Sequence, residues 1–285
     1  MDHLESSLTF IIVTYKEKYW ECESFVSLVT SYKCSAPLEP LNVVVIDNTE
    51  DSNFCSSRPS SEAGIQVSYY TYGKNLGISK AYNQAVSQVD RISQKLVFLD
   101  QDTLLPEQFY SCYFDMATLR SEVLLACPKV YAGKGLVSPL PFKNFRAVRQ
   151  FNEAILSGAV IFGTFSFINS GLMVDKKLFD QIGGYDERLF LDFCDHDFIS
   201  RLAAVTPTFY IIPCDLSQNL SSFTDSKEKA LERYKIYLHD FYYFSRNRNR
   251  GKLFFNIDLP HLIKLSLKFR TLSFLRLYLF RNKFI

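Results

Sequence analysis

The chain has 285 residues, 47% of them hydrophobic, and a formal net charge of +2, long enough for one large core and too weakly charged to imply nucleic acid as a partner. No apolar run reaches the ~18 residues of a bilayer-crossing helix, and seven cysteines with no C-x-x-C pair and no secretory signal ahead of them fit reduced thiols in a cytosol. The charge is uneven: residues 246–285 hold ten Lys/Arg and one acid, Asp258, against 22 basic and 29 acidic groups before them.

In chain order, residues 8–15 (LTFIIVTY) are a continuous apolar run, the mark of a strand buried on both faces. Residues 20–32 read as a helix, 41–49 (LNVVVIDNT) and 65–72 (IQVSYYTY) as strands, and 76–89 as a helix. A fourth strand spans 95–100 (KLVFLD), and Pro106 opens a helix at its first turn. Residues 133–150, rich in Gly, Pro and basic side chains, read as a mobile loop. Residues 162–174 return to the sheet, and 176–190 form a short helix stopped by Gly183-Gly184. A helix over 192–204 starts on acids, a last strand spans 208–213, and a long helix spans 226–247. Pro260 starts a C-terminal helix to about residue 280. The alternation predicts an α/β fold, a mostly parallel sheet flanked by helices over residues 1–225, with a C-terminal helical extension over 226–285.

In such sheets ligands bind outside the carboxyl ends of the strands. Three ends are polar here: Thr14-Tyr15, Asp47-Asn48-Thr49 and Asp100-Gln101-Asp102. Two hard carboxylates on a short turn suit Mg²⁺ or Mn²⁺ with positions left for phosphates. A D-x-D pair alone is weak, since 195/197 also carries one, and a helix-capping acid is the plainer reading. Asp47 ends its strand as a lone acid and can accept the ring N–H of uracil or thymine; an Asx-turn is the alternative. Asn75 and Gly77 precede a helix whose free N–H groups can face an anion, and Asn83 lies within that helix, where it can turn into the crevice. Asp192, Asp195 and Asp197 cluster at one predicted helix start, and one of them can act as a general base. The four histidines show no metal-ligand spacing.

Taken in order, IIVTYK, VVVIDNT, YGKNLGISKAYNQA, VFLDQDTLLP, FINSGLMV, IGGYDERLFLDFCDHDFISR and YYFSRN resemble the motifs of family 2 glycosyltransferases over about residues 8–250, closest to the rhamnosyltransferase-like branch that builds bacterial surface polysaccharides. The resemblance implies a GT-A fold and inversion at the sugar carbon. It implies that Thr14, Tyr15 and Asn48 line the nucleotide pocket and that Asp47 binds the base. Asn75, Gly77, Asn83, Gln101, Ser170 and Gly171 would face the donor, and Asp100 and Asp102 would hold Mg²⁺ or Mn²⁺. Asp195 would be the catalytic base, with Asp186, Asp192, Asp197, Tyr243 and Arg246 supporting it or bordering the acceptor. The donor would be dTDP- or UDP-linked, and the acceptor a lipid-linked saccharide at the cytoplasmic face of the cell membrane. Two positions depart from the pattern: Gln218 replaces a His often found near the metal, and Asp240 replaces an Arg before YY-x-x-RN. A glycoside hydrolase using Asp192 and Asp195, and a catalytically silent sugar-nucleotide binder or scaffold, are the competing readings. The basic, Leu- and Phe-rich tail reads either as a helix packed on the domain or on a second subunit of a homodimer, or as an in-plane membrane contact.

Overall fold

The computed structural model describes residues 8–51, 62–89, 94–218 and 226–281. Its centre is a sheet of β1 (Leu8–Thr14), β2 (Leu41–Asp47), β3 (Ile65–Thr71), β4 (Lys95–Asp100), β5 (Leu125–Cys127), β6 (Gly158–Ile161), β7 (Leu172–Asp175) and β8 (Thr208–Ile211). The order across the sheet is β6-β8-β5-β7-β4-β1-β2-β3. β3, β2, β1 and β4 run parallel, β7 is antiparallel to both β4 and β5, and β6 is antiparallel to β8. Every residue of β1 is buried, which is why it reads as an unbroken apolar run.

The faces are covered by α1 (Glu23–Ser35), α2 (Ile78–Ser87), α3 (Phe109–Leu119), α4 (Lys176–Gln181) and α5 (Cys194–Leu202). Side chains alternate along β1, so Phe10 and Ile12 join Leu28, Phe109 and Tyr113 in the core under α1 and α3. Ile11 and Val13 point the other way, into a core with Tyr82, Phe98, Phe179 and Phe198 under α2, α4 and α5.

Two expectations need correction. Residues 133–150 are not a loop: Gly135–Ser138 and Leu140–Lys143 are strands, and the latter pairs with Arg146–Ala147 and Phe165–Ser166. The hairpin turns on Asn144 and Phe145, both at positive φ (51° and 64°), the backbone that a two-residue turn between twisted strands demands. The C-terminal helix is not continuous either. After α6 (Lys227–Ser245) and α7 (Arg250–Leu253) the chain forms α8 (Leu259–Lys268) and α9 (Ser273–Leu279). Arg270 adopts φ 48°, Thr271 N–H bonds Ser266 O and Arg270 N–H bonds Leu267 O, which is a Schellman stop. The C-terminal helices make their own core from Tyr234, Tyr237, Leu238, Leu262 and Phe274, while Phe244 and Leu253 reach into the core of the sheet.

Candidate active site

The parallel register brings the polar strand ends into one row. Asp100 pairs across from Val13, Thr14 from Asp47, and Asp47 from Thr71. Gln101 spans the gap: its Oε1 accepts the Tyr15 N–H at 2.7 Å, leaving the Tyr15 ring exposed at the rim. Asp47 is buried, and its two oxygens accept bonds from Thr49 N–H (2.9 Å) and Tyr69 O–H (2.6 Å), so the Asx-turn is present. Thr14 is fully buried with a hydroxyl that has no hydrogen-bond partner among the described residues.

Asp100 and Asp102 leave β4 on different terms. The Asp100 carboxylate is partly buried and accepts hydroxyls from Ser170 and from Tyr82 (3.1 Å). Burial pushes its pKa up to about 6; the Ser170 and Tyr82 bonds oppose this, and the like charges of Asp102 and Asp195 add to it. Asp102 is exposed, and Gln218 Nε2 donates to it at 3.4 Å. The position where the resemblance expects a His thus does adjoin the acid pair. No Lys or Arg pairs with Asp100, Asp102 or Asp195 among the described residues. Three like charges without a counter-ion fit a hard divalent cation that two carboxylates hold and substrate phosphates complete. Among the described residues no group of three His, Cys, Asp or Glu side chains forms a closed metal cage.

The segment before α2 does a structural task. Asn75 Oδ1 accepts the Gly77 N–H at 2.9 Å, and Asn48 bonds both Leu76 N–H and Gly77 O. Gly77 has φ 77°, and a Cβ there would lie 2.6 Å from the Phe190 carbonyl oxygen, so only glycine lets this turn meet the 185–193 loop. Asn83 is directed to the same loop. Its amide brackets the Tyr185 backbone, donating to the carbonyl (2.9 Å) and accepting from the N–H (2.8 Å). The Asn75–Asn83 stretch therefore ties the row of strand ends to the loop that carries the acidic turn. Gly171 is held as tightly: a Cβ would lie 2.6 Å from the Tyr113 hydroxyl, and this fixes Ser170 against Asp100.

The acids of that turn separate by partner. Asp192 is gripped by both terminal nitrogens of Arg233, and Asp197 by Arg201 and Arg248, each at 2.9 Å. Asp186 is held low by its bonds from Arg188. Among the described residues Asp195 accepts its neighbour's N–H alone, from His196 at 2.7 Å, and its charge adds to the rise at Asp100. Phe193, just before α5, has φ 63°, a strained backbone for an aromatic residue, and its ring stacks on Phe244 at 4.7 Å. Beneath the turn lies Asp240, wholly buried. Its carboxylate accepts three successive backbone N–H groups, Phe190, Leu191 and Asp192, at 2.7–2.8 Å, and a bond with His239. Sequence reading noted Asp240 only as a departure, because its partners lie fifty residues upstream and are backbone. Tyr243 and Arg246 stack with each other beyond it, at 5.8 Å, and Arg188 also lies over Tyr243.

The fold as a whole is similar to solved structures along most of the chain. A Staphylococcus aureus TarS fragment (residues 1–349) with UDP-GlcNAc superposes with a TM-score of 0.51 at 14% identity, over 82% of this chain and 66% of that one. GalNAc-T7 with UDP, GalNAc and Mn²⁺ gives 0.56 at 13% identity, over 94% of this chain and 55% of that one. The fold is that of the GT-A glycosyltransferases. The chain thus spans between about half and two thirds of the length of these structures. By sequence it is 26% identical to the dTDP-rhamnosyl transferase RfbF of Shigella flexneri over 216 residues, 74% of this chain and 68% of that protein. No family model matches the chain.

Proposed function

We propose that the chain is a nucleotide-sugar glycosyltransferase that inverts configuration at the transferred sugar. One arrangement carries the reading: Asp100 and Asp102 close a central strand of this fold and Asp195 lies in the first turn of α5, and none of the three pairs with a Lys or Arg among the described residues. A donor diphosphate belongs on one side of Asp195, at Asp100 and Asp102, and an acceptor hydroxyl on the other. Mg²⁺ or Mn²⁺ on those two carboxylates would supply positive charge to the departing diphosphate.

The chain's own groups do the rest. Asp47, buried at the end of β2, is the acid assigned to the N–H of the base. Ser170 and Tyr82 orient Asp100, and Gln101 closes the sheet end beside the nucleotide. Asp195 takes the acceptor's hydroxyl proton as that oxygen bonds to the anomeric carbon and the bond to the diphosphate oxygen breaks. The kinship with RfbF supports a dTDP- or UDP-linked donor carrying rhamnose or another hexose. The acceptor is read as a lipid-linked saccharide, in surface polysaccharide synthesis at the inner face of the cell membrane. The test is a donor panel: dTDP-rhamnose, UDP-galactose, UDP-galactofuranose, UDP-glucose and UDP-N-acetylhexosamines, each with Mg²⁺ or Mn²⁺. Nucleotide diphosphate released from one donor is the expected result; a chain that neither binds nor cleaves any of them is not this enzyme.

A further inference from the structure

A cavity of about 1260 Å³ opens behind the first turn of α5, bounded by the Leu140–Lys143 hairpin, α6, α7 and α8. It touches the acidic turn through Asp192, Phe193 and His196, so α5 is a wall shared with the strand-end crevice. Two features of its lining are opposed. Phe142, Phe165, Phe193, Phe244, Ile257 and Leu265 make it apolar. Arg146, Lys252, Lys264 and Lys268 make it cationic; Arg233 and Arg248 also line it but are paired with Asp192, the one acid of the described lining, and with Asp197.

Lys252, Lys264 and Lys268 are exposed and have no ion pair among the described residues. Cations gathered in a concave site with apolar walls focus a positive field into it. A free sugar answers the aromatic wall but leaves the charge unmet. An inorganic anion answers the charge and wastes the wall. The volume also exceeds the ~300–1,000 Å³ usual for a small-molecule pocket. On α8, between Lys264 and Lys268, Leu267 is 72% exposed, so the cationic mouth borders an apolar surface.

We propose that this cleft binds a phosphate-bearing amphiphile, with its phosphate on the Lys252, Lys264 and Lys268 side and its chain along Phe142, Phe165 and Phe244. The inference rests on the transferase reading in one respect: it assigns this cleft, rather than the strand ends, to the charged carrier that delivers the acceptor to Asp195.

The test uses the full chain and dodecyl phosphate below its micelle concentration, measured by titration calorimetry. Butyl phosphate, inorganic phosphate and the uncharged dodecyl maltoside are the comparators. Dodecyl phosphate should bind at least tenfold more tightly than any of the three. The double variant Lys264→Glu/Lys268→Glu, which alters only exposed side chains, should weaken it at least tenfold and leave nucleotide diphosphate binding and Tm unchanged. Equal affinity for butyl and dodecyl phosphate, or an unaffected double variant, overturns the proposal. So does binding confined to phosphatidylglycerol vesicles, which would assign the lysines to a bilayer surface rather than to the cleft. A chain that binds dodecyl phosphate but no nucleotide sugar keeps the cleft and loses the transferase reading instead.

Discussion

At the residue scale, the acids near the start of α5 differ in what surrounds them, and this sets what each substitution does. Asp192 and Asp197 are spent on Arg233, Arg201 and Arg248, whereas Asp195 has no cation among the described residues. Asp195→Asn should lower kcat by roughly 10²–10⁴-fold, the range of a general base, with nucleotide affinity within twofold of wild type. Asp192→Asn should instead act on the fold, because it leaves Arg233 without its bidentate partner. Steady-state kinetics beside calorimetric nucleotide binding separates the two; an active Asp195→Asn chain removes the residue from the mechanism. Asp102→Asn tests the other half of the site. Asp102 is exposed, so stability should hardly change, while turnover falls by ~10²-fold or more and wild-type activity disappears in EDTA. Undiminished turnover in EDTA would rule out a metal on this pair.

At the element scale, the turn from Phe190 to Asp192 is organised by one buried carboxylate on α6. Asp240→Asn keeps the shape but replaces one acceptor oxygen with an N–H donor facing backbone N–H groups. The expected cost is about 2–4 kcal/mol in urea unfolding, and kcat should fall while donor KM holds, because Asp195 follows the turn. Unchanged kcat would limit Asp240 to a structural part. The elements themselves were legible where apolar patterning decides them: β1, β2 and β4 fall within two residues of the expected strands. The strands over 135–147 were not, since their Gly, Pro and basic content reads as a loop while partners lie outside the stretch, Val130–Ala132 beside Gly135–Ser138 and Phe165–Ser166 beside Leu140–Lys143. The acids of the site were legible as residue types at strand and helix ends. Their pairing was not, because Arg233, Arg248 and Asp240 arrive from α6 and beyond. The C-terminal helices add a pH-sensitive element. Asp258 is buried near Tyr237, Tyr278, Arg281 and Tyr234; burial raises it to about 6, against bonds from Tyr278 and Tyr237 and the Arg281 charge, which lower it. A carboxyl raised on folding binds more protons folded than unfolded, so stability falls as pH rises from about 4 to 6. Asp258→Asn should therefore flatten that part of the Tm–pH curve, a change on the order of 2 kcal/mol. An identical curve in the variant means that the group does not titrate there.

At the scale of the whole molecule, an acidic body carries a basic, apolar end. The end is not a loose tail: Leu253 and Phe274 are wholly buried, and α8 walls the cleft. What it exposes is apolar, with Phe255, Leu267, Leu272 and Leu279 each 65–76% exposed, and with Arg270 and Arg276 among them. No helix among the described residues is long and apolar enough to cross a membrane. An exposed apolar surface set with cations is the kind that lies in the plane of a bilayer. Cations near an anionic bilayer surface contribute about 1 kcal/mol each, and salt screens that share but not the apolar one. The full chain should therefore co-sediment with phosphatidylglycerol vesicles, less at 0.5 M salt than at 0.05 M, and little with neutral vesicles. Leu267→Glu/Leu279→Glu should reduce binding at both salt concentrations without unfolding the chain, because both side chains are exposed. A second copy of the chain competes for the same surface in the alternative arrangement. If the full chain ignores vesicles at low salt while the double variant changes from dimer to monomer in sedimentation velocity, the apolar face is a subunit interface and not a membrane contact.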